Sequence, residues 1–282
     1  MATAETSDAA KQAYLEAHRL EGEPKGTMAK LNGISYYLAK GNGDHTDKAI
    51  VLGTDLFGLG VPGPKLMADW FAQKLGFDVL VPDVFEGDYI DRDRLKPQLE
   101  VLDEQVKGKS FVGRLKHQAS TLWALSYGIG PTYLVRHSAS HTLSLAEKFC
   151  IDVRKEAGYT RLGFVGYAFG GSHAVHLAGS AKSPKPVDVV VAFHPAPIHA
   201  KDFKKVAVPF MLSLAEEDSF LSAPPVLAAL ASLPPSVPTQ TYDDARGTVH
   251  GYGSRPDLAR TEVREAFAIG LERTAEWFRA HL

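Results

Sequence analysis

The stretch Gly163-Phe-Val-Gly-Tyr-Ala-Phe-Gly-Gly-Ser172 constrains the fold of this chain more than any other. A short apolar run passes straight into Gly166-Tyr167-Ala168-Phe169-Gly170-Gly171, then into a small-residue helical pattern with Ala174, Val175 and Ala178. A strand that becomes a helix in so few residues needs a tight turn. Side chains two positions either side of its tip would collide with the strand or the helix, and the glycines at 166 and 170 remove them. The helix would aim its unpaired N–H groups at the tip and favour negative charge there. Taken alone, the pattern also fits a plain strand-to-helix connection.

The rest of the chain supplies a frame for that turn. Residues 34–38, 48–54, 78–82, 161–166, 187–193, 208–214 and 239–242 read as strands, several of them short and wholly apolar. Between them, Leu66, Met67, Trp70, Phe71 and Leu75 recur at helical spacing, where they suit a core rather than a cofactor box. Helices are also expected over 138–157 and 258–282. This alternation predicts an α/β fold with a mostly parallel sheet covered by helices on both faces. Residues 1–28 are weakly patterned and read as an N-terminal arm. One domain is expected over 29–282, with an insertion near 89–136 beside the mouth of the site.

Composition narrows the possible partners. With 282 residues, 45% of them hydrophobic, the chain can bury a large core as one domain. A net charge of -2 offers no concentrated positive field, so neither nucleic acid nor an anionic membrane is expected as a partner. A single cysteine, Cys150, excludes an intramolecular disulfide. The first residues lack an apolar signal core, and no stretch approaches 18 consecutive apolar residues. A cytoplasmic protein acting on a small molecule, as a monomer or homodimer, is the expectation.

Two downstream segments give the turn chemical meaning. Met211-Leu-Ser-Leu-Ala-Glu-Glu-Asp218 is an apolar run ending in acids, and Val249-His250-Gly-Tyr precedes the last helix. A turn of the form G-x-nucleophile-x-G, then an acid after a late strand, then a histidine before the final helix, is the order of a hydrolase triad. Histidine takes and returns a proton, and the acid fixes its tautomer and steadies the imidazolium. Here the tip of the turn is Ala168.

These segments, with Gly53-Thr-Asp-Leu-Phe-Gly58 and Val81-Pro-Asp-Val-Phe-Glu-Gly87, resemble those of the dienelactone hydrolases, over roughly residues 30–282. The resemblance implies an α/β-hydrolase fold and cofactor-free, metal-free hydrolysis of a carboxylic ester or lactone through a Cys-His-Asp triad. It places Ala168 at the nucleophilic cysteine, Asp218 at the acid and His250 at the base. Asp55 takes the place of an acidic residue that handles the thiol proton, and the amides of Leu56 and Phe169 that of the oxyanion hole. Phe57, Tyr167, Tyr252 and Arg255 are the substrate-side candidates, Arg255 because a guanidinium suits a carboxylate.

The departures matter as much. Alanine has no lone pair to attack a carbonyl, and removing a triad nucleophile costs on the order of 10⁶ in turnover. Either a working cysteine was replaced or the chemistry was lost naturally; the intact glycines, acid, histidine and oxyanion segment weigh towards replacement. The alternative function is a ligand-binding protein that kept the pocket without turnover. Cys150, mid-helix, is no substitute nucleophile. Glu86 and Gly87 stand where the classical enzymes carry an arginine, so a neutral or bulkier ester or lactone is expected as a substrate at least as much as dienelactone itself. His173 and His176 read as packing residues. His194 and His199 lack further ligands at zinc spacing, which leaves a metal-dependent hydrolase as a weaker rival.

Overall fold

The computed structural model of the chain describes residues 20–43, 47–91 and 130–282, together with positions 113, 116, 119, 120, 123 and 129. Most of the expected 1–28 arm and 89–136 insertion lies outside the described residues. Eight strands form one sheet: β1 (Thr27–Leu31), β2 (Ile34–Ala39), β3 (Lys48–Gly53), β4 (Asp78–Pro82), β5 (Arg161–Tyr167), β6 (Val189–Phe193), β7 (Phe210–Glu217) and β8 (Thr239–Val249). Their order is β1-β2-β4-β3-β5-β6-β7-β8. The β1/β2 and β2/β4 pairs are antiparallel, and every other pair is parallel.

The helices are α1 (Gly63–Leu75), α2 (Pro131–Arg136), α3 (Ala139–Ala157), α4 (Phe169–Ala178), α5 (Ala200–Phe203), α6 (Ala223–Ala231) and α7 (Thr261–His281). Proline in the first turn and Gly76 in the left-handed conformation at the end bound α1. Side-chain alternation along the strands divides the core. Ile50, Leu52, Val165 and Val191 pack on one face with Met67 and Phe71 of α1 and Phe267 and Phe278 of α7. Ala49, Val51, Phe164 and Val190 pack on the other with Phe149 and Cys150 of α3 and Val175 of α4. With both faces covered, the central strands read as continuous apolar runs, and each large side chain so buried contributes roughly 1.5–3 kcal/mol.

β1 and α6 are among the elements that no periodic pattern predicts. The edge strand β1, Thr-Met-Ala-Lys-Leu, is exposed along much of its length, so it carries no hydrophobic run. In α6 the prolines occupy the first turn, where their missing N–H groups cost nothing. Strand β8 also runs past the expected 242, with register shifts against β7 after Ser213. No helix among the described residues is long and apolar enough to cross a membrane.

Candidate active site

The parallel strands all present their carboxyl ends to one edge, where ligands bind in open sheets of this kind. Asp55 and Leu56 follow β3, Ala168 follows β5, His194 follows β6, Asp218 follows β7 and His250 follows β8. Ala168 sits at φ 48°, ψ −105°, a conformation that costs a non-glycine residue about 1–3 kcal/mol. Three hydrogen bonds hold it there. Its N–H donates to the Phe193 carbonyl at 3.1 Å, and its own carbonyl accepts from Ser172 at 3.1 Å and Ala196 at 3.0 Å. A Cβ at Gly166 would fall 2.0 Å from the Gly170 oxygen, and one at Gly170 would fall 2.3 Å from the Gly53 oxygen. The turn is thus wedged between β3 and β6 and admits no side chain at either glycine.

At the end of β8 lies an oriented imidazole. Nδ1 of His250 is 3.1 and 3.0 Å from the two carboxylate oxygens of Asp218. Asp218 Oδ1 also accepts the N–H groups of Phe220 at 2.8 Å and Leu221 at 3.2 Å, so the loop after β7 fixes the acid. The His250 ring packs edge-on against Phe220 and His194, at centroid distances of 4.7 and 5.0 Å. Among the described residues no hydrogen bond engages its Nε2, nor the N–H groups of Leu56 and Phe169. Phe169 opens α4, so its amide carries the helix dipole.

A profile of the dienelactone hydrolase family matches residues 34–282. The chain belongs to the dienelactone hydrolase family. Two curated fungal relatives extend over almost the whole length. Hydrolase pyvD of Aspergillus violaceofuscus is 26% identical over 267 residues, 93% of each chain. Hydrolase tropI of Talaromyces stipitatus is 25% identical over 269 residues, 95% of this chain and 94% of its own. The solved dienelactone hydrolase of Anabaena variabilis superposes with a TM-score of 0.55 at 16% identity, covering 92% of this chain and 97% of the other, which shows the shared fold.

Within this family frame the remaining residues fall into three groups. The first joins the loops. Asp55 Oδ1 accepts the Phe57 N–H at 3.0 Å, and Oδ2 accepts the Ser254 hydroxyl at 2.8 Å, so the acid ties the loop after β3 to the histidine loop. Arg255 donates from Nη2 to the His250 carbonyl at 3.2 Å. Its guanidinium borders both a cavity of about 220 Å³ containing Asp55, Phe57 and Leu258 and one of about 350 Å³ containing His250 and Arg260. Phe57 is buried against Val61, Ile90 and Phe220.

The second group lies inside the core. Tyr167, expected on the substrate side, is 1% exposed and stacks on Phe193 at 5.0 Å. Tyr252 is 3% exposed, with its hydroxyl 2.7 Å from that of Ser213. Strand alternation turns Tyr167 towards the α1 and α7 face and buries its ring, whereas Tyr252, though mostly buried, lines the cavity that holds His250 and Arg255. Cys150 is fully buried, and burial pushes its thiol far up from the ordinary range. His173 bonds Thr142 Oγ1 through Nε2 at 3.1 Å and packs beneath Phe169; burial pushes it down to about 3. His176 is half-buried, and burial again lowers it.

The third group was not singled out for this site from sequence. His194 is fully buried, and its Nε2 accepts the Gly253 N–H at 3.1 Å, so the ring proton resides on Nδ1. Burial, reinforced by the charges of His250 and Arg255, holds it well below the ordinary histidine range, hence neutral. It props the His250 loop instead of facing His199, which caps α5. Its signal was position: it follows the end of a central parallel strand. Ser254 and Phe220 carried no such signal, since only the folded loops bring them to Asp55 and His250.

Proposed function

We propose that the site is that of a carboxylic ester or lactone hydrolase whose Cys-His-Asp chemistry is silenced by alanine at position 168. The observation that carries this reading is the Asp218–His250 pair, bidentate at 3.0 and 3.1 Å, set across the sheet edge from a strained turn with a methyl group at its tip. With a thiolate at 168, the carbonyl of an ester would be attacked while the amides of Leu56 and Phe169 hold the oxyanion; each such donor contributes about 3–4 kcal/mol. His250 would protonate the leaving alkoxide and then activate water, with Asp218 holding its tautomer. Arg255, between two cavities, is the substrate-side cation of this reading. Membership of the dienelactone hydrolase family, and likeness to two relatives named hydrolases, support the reaction class.

The test is Ala168→Cys, assayed on a small aryl ester and an aromatic lactone. Turnover should rise by several orders of magnitude, with a pre-steady-state burst. A folded Ala168→Cys protein without any gain would remove this reading. The second reading, a ligand-binding protein of the same pocket, is favoured by Ala168 itself and predicts binding of an intact ester with no gain from cysteine.

A further inference from the structure

Resting on the ester or lactone reading, we propose that this chain opens its substrate without an acyl-enzyme, with His250 acting directly as general base on water. The geometry points there for four reasons. A methyl group at 168 cannot bond a carbonyl carbon, so the first step of the family's chemistry is closed. Everything else that step would need persists: Asp218 grips His250 Nδ1 with both oxygens and is itself held by two amides. Nε2 has no partner among the described residues, and the amides of Leu56 and Phe169 remain unspent. Lastly, the neutral His194 packed on the His250 ring at 5.0 Å adds no positive charge, so on that face the imidazole can accept a proton without repulsion, and the nearby cation is Arg255 on the His250 carbonyl.

The step balances without any further reagent. Nε2 takes one proton from water as the water oxygen bonds to the carbonyl carbon. The carbonyl π pair moves to its oxygen, which the N–H groups of Leu56 and Phe169 hold. On collapse, the bond from carbon to the alcohol oxygen breaks with its electron pair on that oxygen. The proton on Nε2 passes to the alkoxide. Ester and water become acid and alcohol, a lactone becomes a hydroxy acid, and the imidazole returns neutral. Such a site must be slower than one with a thiolate, because water is not held by a covalent bond to the protein. It keeps the general-base contribution, about 10²- to 10⁴-fold.

The experiment uses the chain as it stands with an aryl acetate and an aromatic lactone, measuring binding by titration and turnover at steady state. Turnover above buffer, no burst, no acylated protein on mass analysis and a normal solvent deuterium isotope effect are the expected results. His250→Gln should lower the rate about 100-fold or more, with thermal melting showing that it folds. Asp218→Asn should lower it as well, and Cys150→Ala should leave it unchanged. Binding without turnover, a rate that survives His250→Gln, or an acylated residue trapped on the protein would each overturn the inference. If the probes do not bind and Ala168→Cys gains nothing, the ester or lactone reading itself fails, and that result differs from the failure of the water mechanism alone.

Discussion

Ala168 holds φ 48° and ψ −105° although its side chain gains nothing from the strain. Glycine there would release about 1–3 kcal/mol of strain and give back part of it as chain entropy. Ala168→Gly should therefore stabilise the fold by about 1 kcal/mol, read as a higher urea midpoint; a lower midpoint would mean that the methyl group packs better than the backbone suffers. Gly166→Ala should act in the opposite direction, by about 3 kcal/mol, because its Cβ would meet the Gly170 backbone at 2.0 Å, where no rotamer change gives relief. A third residue-scale test concerns His194. His194→Leu leaves the Gly253 N–H buried without its acceptor, at a cost of roughly 1–3 kcal/mol. In the Ala168→Cys background the same substitution should lower turnover more than it lowers stability, since the loop it frees carries His250.

Among the elements, β8 is the last strand of the sheet, packed on α7 through Ala245 and braced from it by Arg273. Arg273 makes two bonds to Asp244, at 2.6 and 2.7 Å, and lies 3.8 Å over the Tyr242 ring. Half of the Asp244 side chain is exposed, so solvent screens the ion pair and the combined contact is worth about 1 kcal/mol. Arg273→Lys loses both the fork and the stacking. Amide hydrogen exchange should then quicken over Thr239–Val249 while β5 and β6 stay protected; uniform quickening would show that the contact serves the whole sheet instead. Legibility in the sequence followed burial. Strands β3, β5 and β6, covered on both faces, announce themselves as apolar runs. The exposed β1 and the bulged end of β8 do not, because pairing and register rather than composition maintain them. At the site the turn at 166–171, Asp218 and His250 were readable from order along the chain. The inward direction of Tyr167 was not, because a strand offers two faces and sequence does not say which one meets solvent.

At the scale of the molecule, acid should weaken the fold through histidines that it keeps neutral. Burial pushes His173 from its ordinary 6.5 to about 3 and places His194 well below the same value. Below 6.5 the unfolded chain takes up protons that the folded one refuses, so stability falls with pH through that window. The loss should be about 1 kcal/mol for each of the two between pH 7 and pH 5.5. The ion-paired carboxylates of Asp78 and Asp244, held below their ordinary 3.8 in the fold, add to the loss only at lower pH. Urea titrations at both values test this, and His173→Gln should flatten the slope; a pH-independent midpoint would show that these rings are solvated in solution. The fully buried Cys150 has a further consequence for anyone seeking small molecules against this family. Thiol-directed electrophiles that would label an elbow cysteine irreversibly find no sulfur at this protein's elbow, and its one thiol is shut in the core while the chain is folded. Such compounds could occupy the pocket only reversibly, so in a mixture of relatives this protein would be the one that releases them on washing.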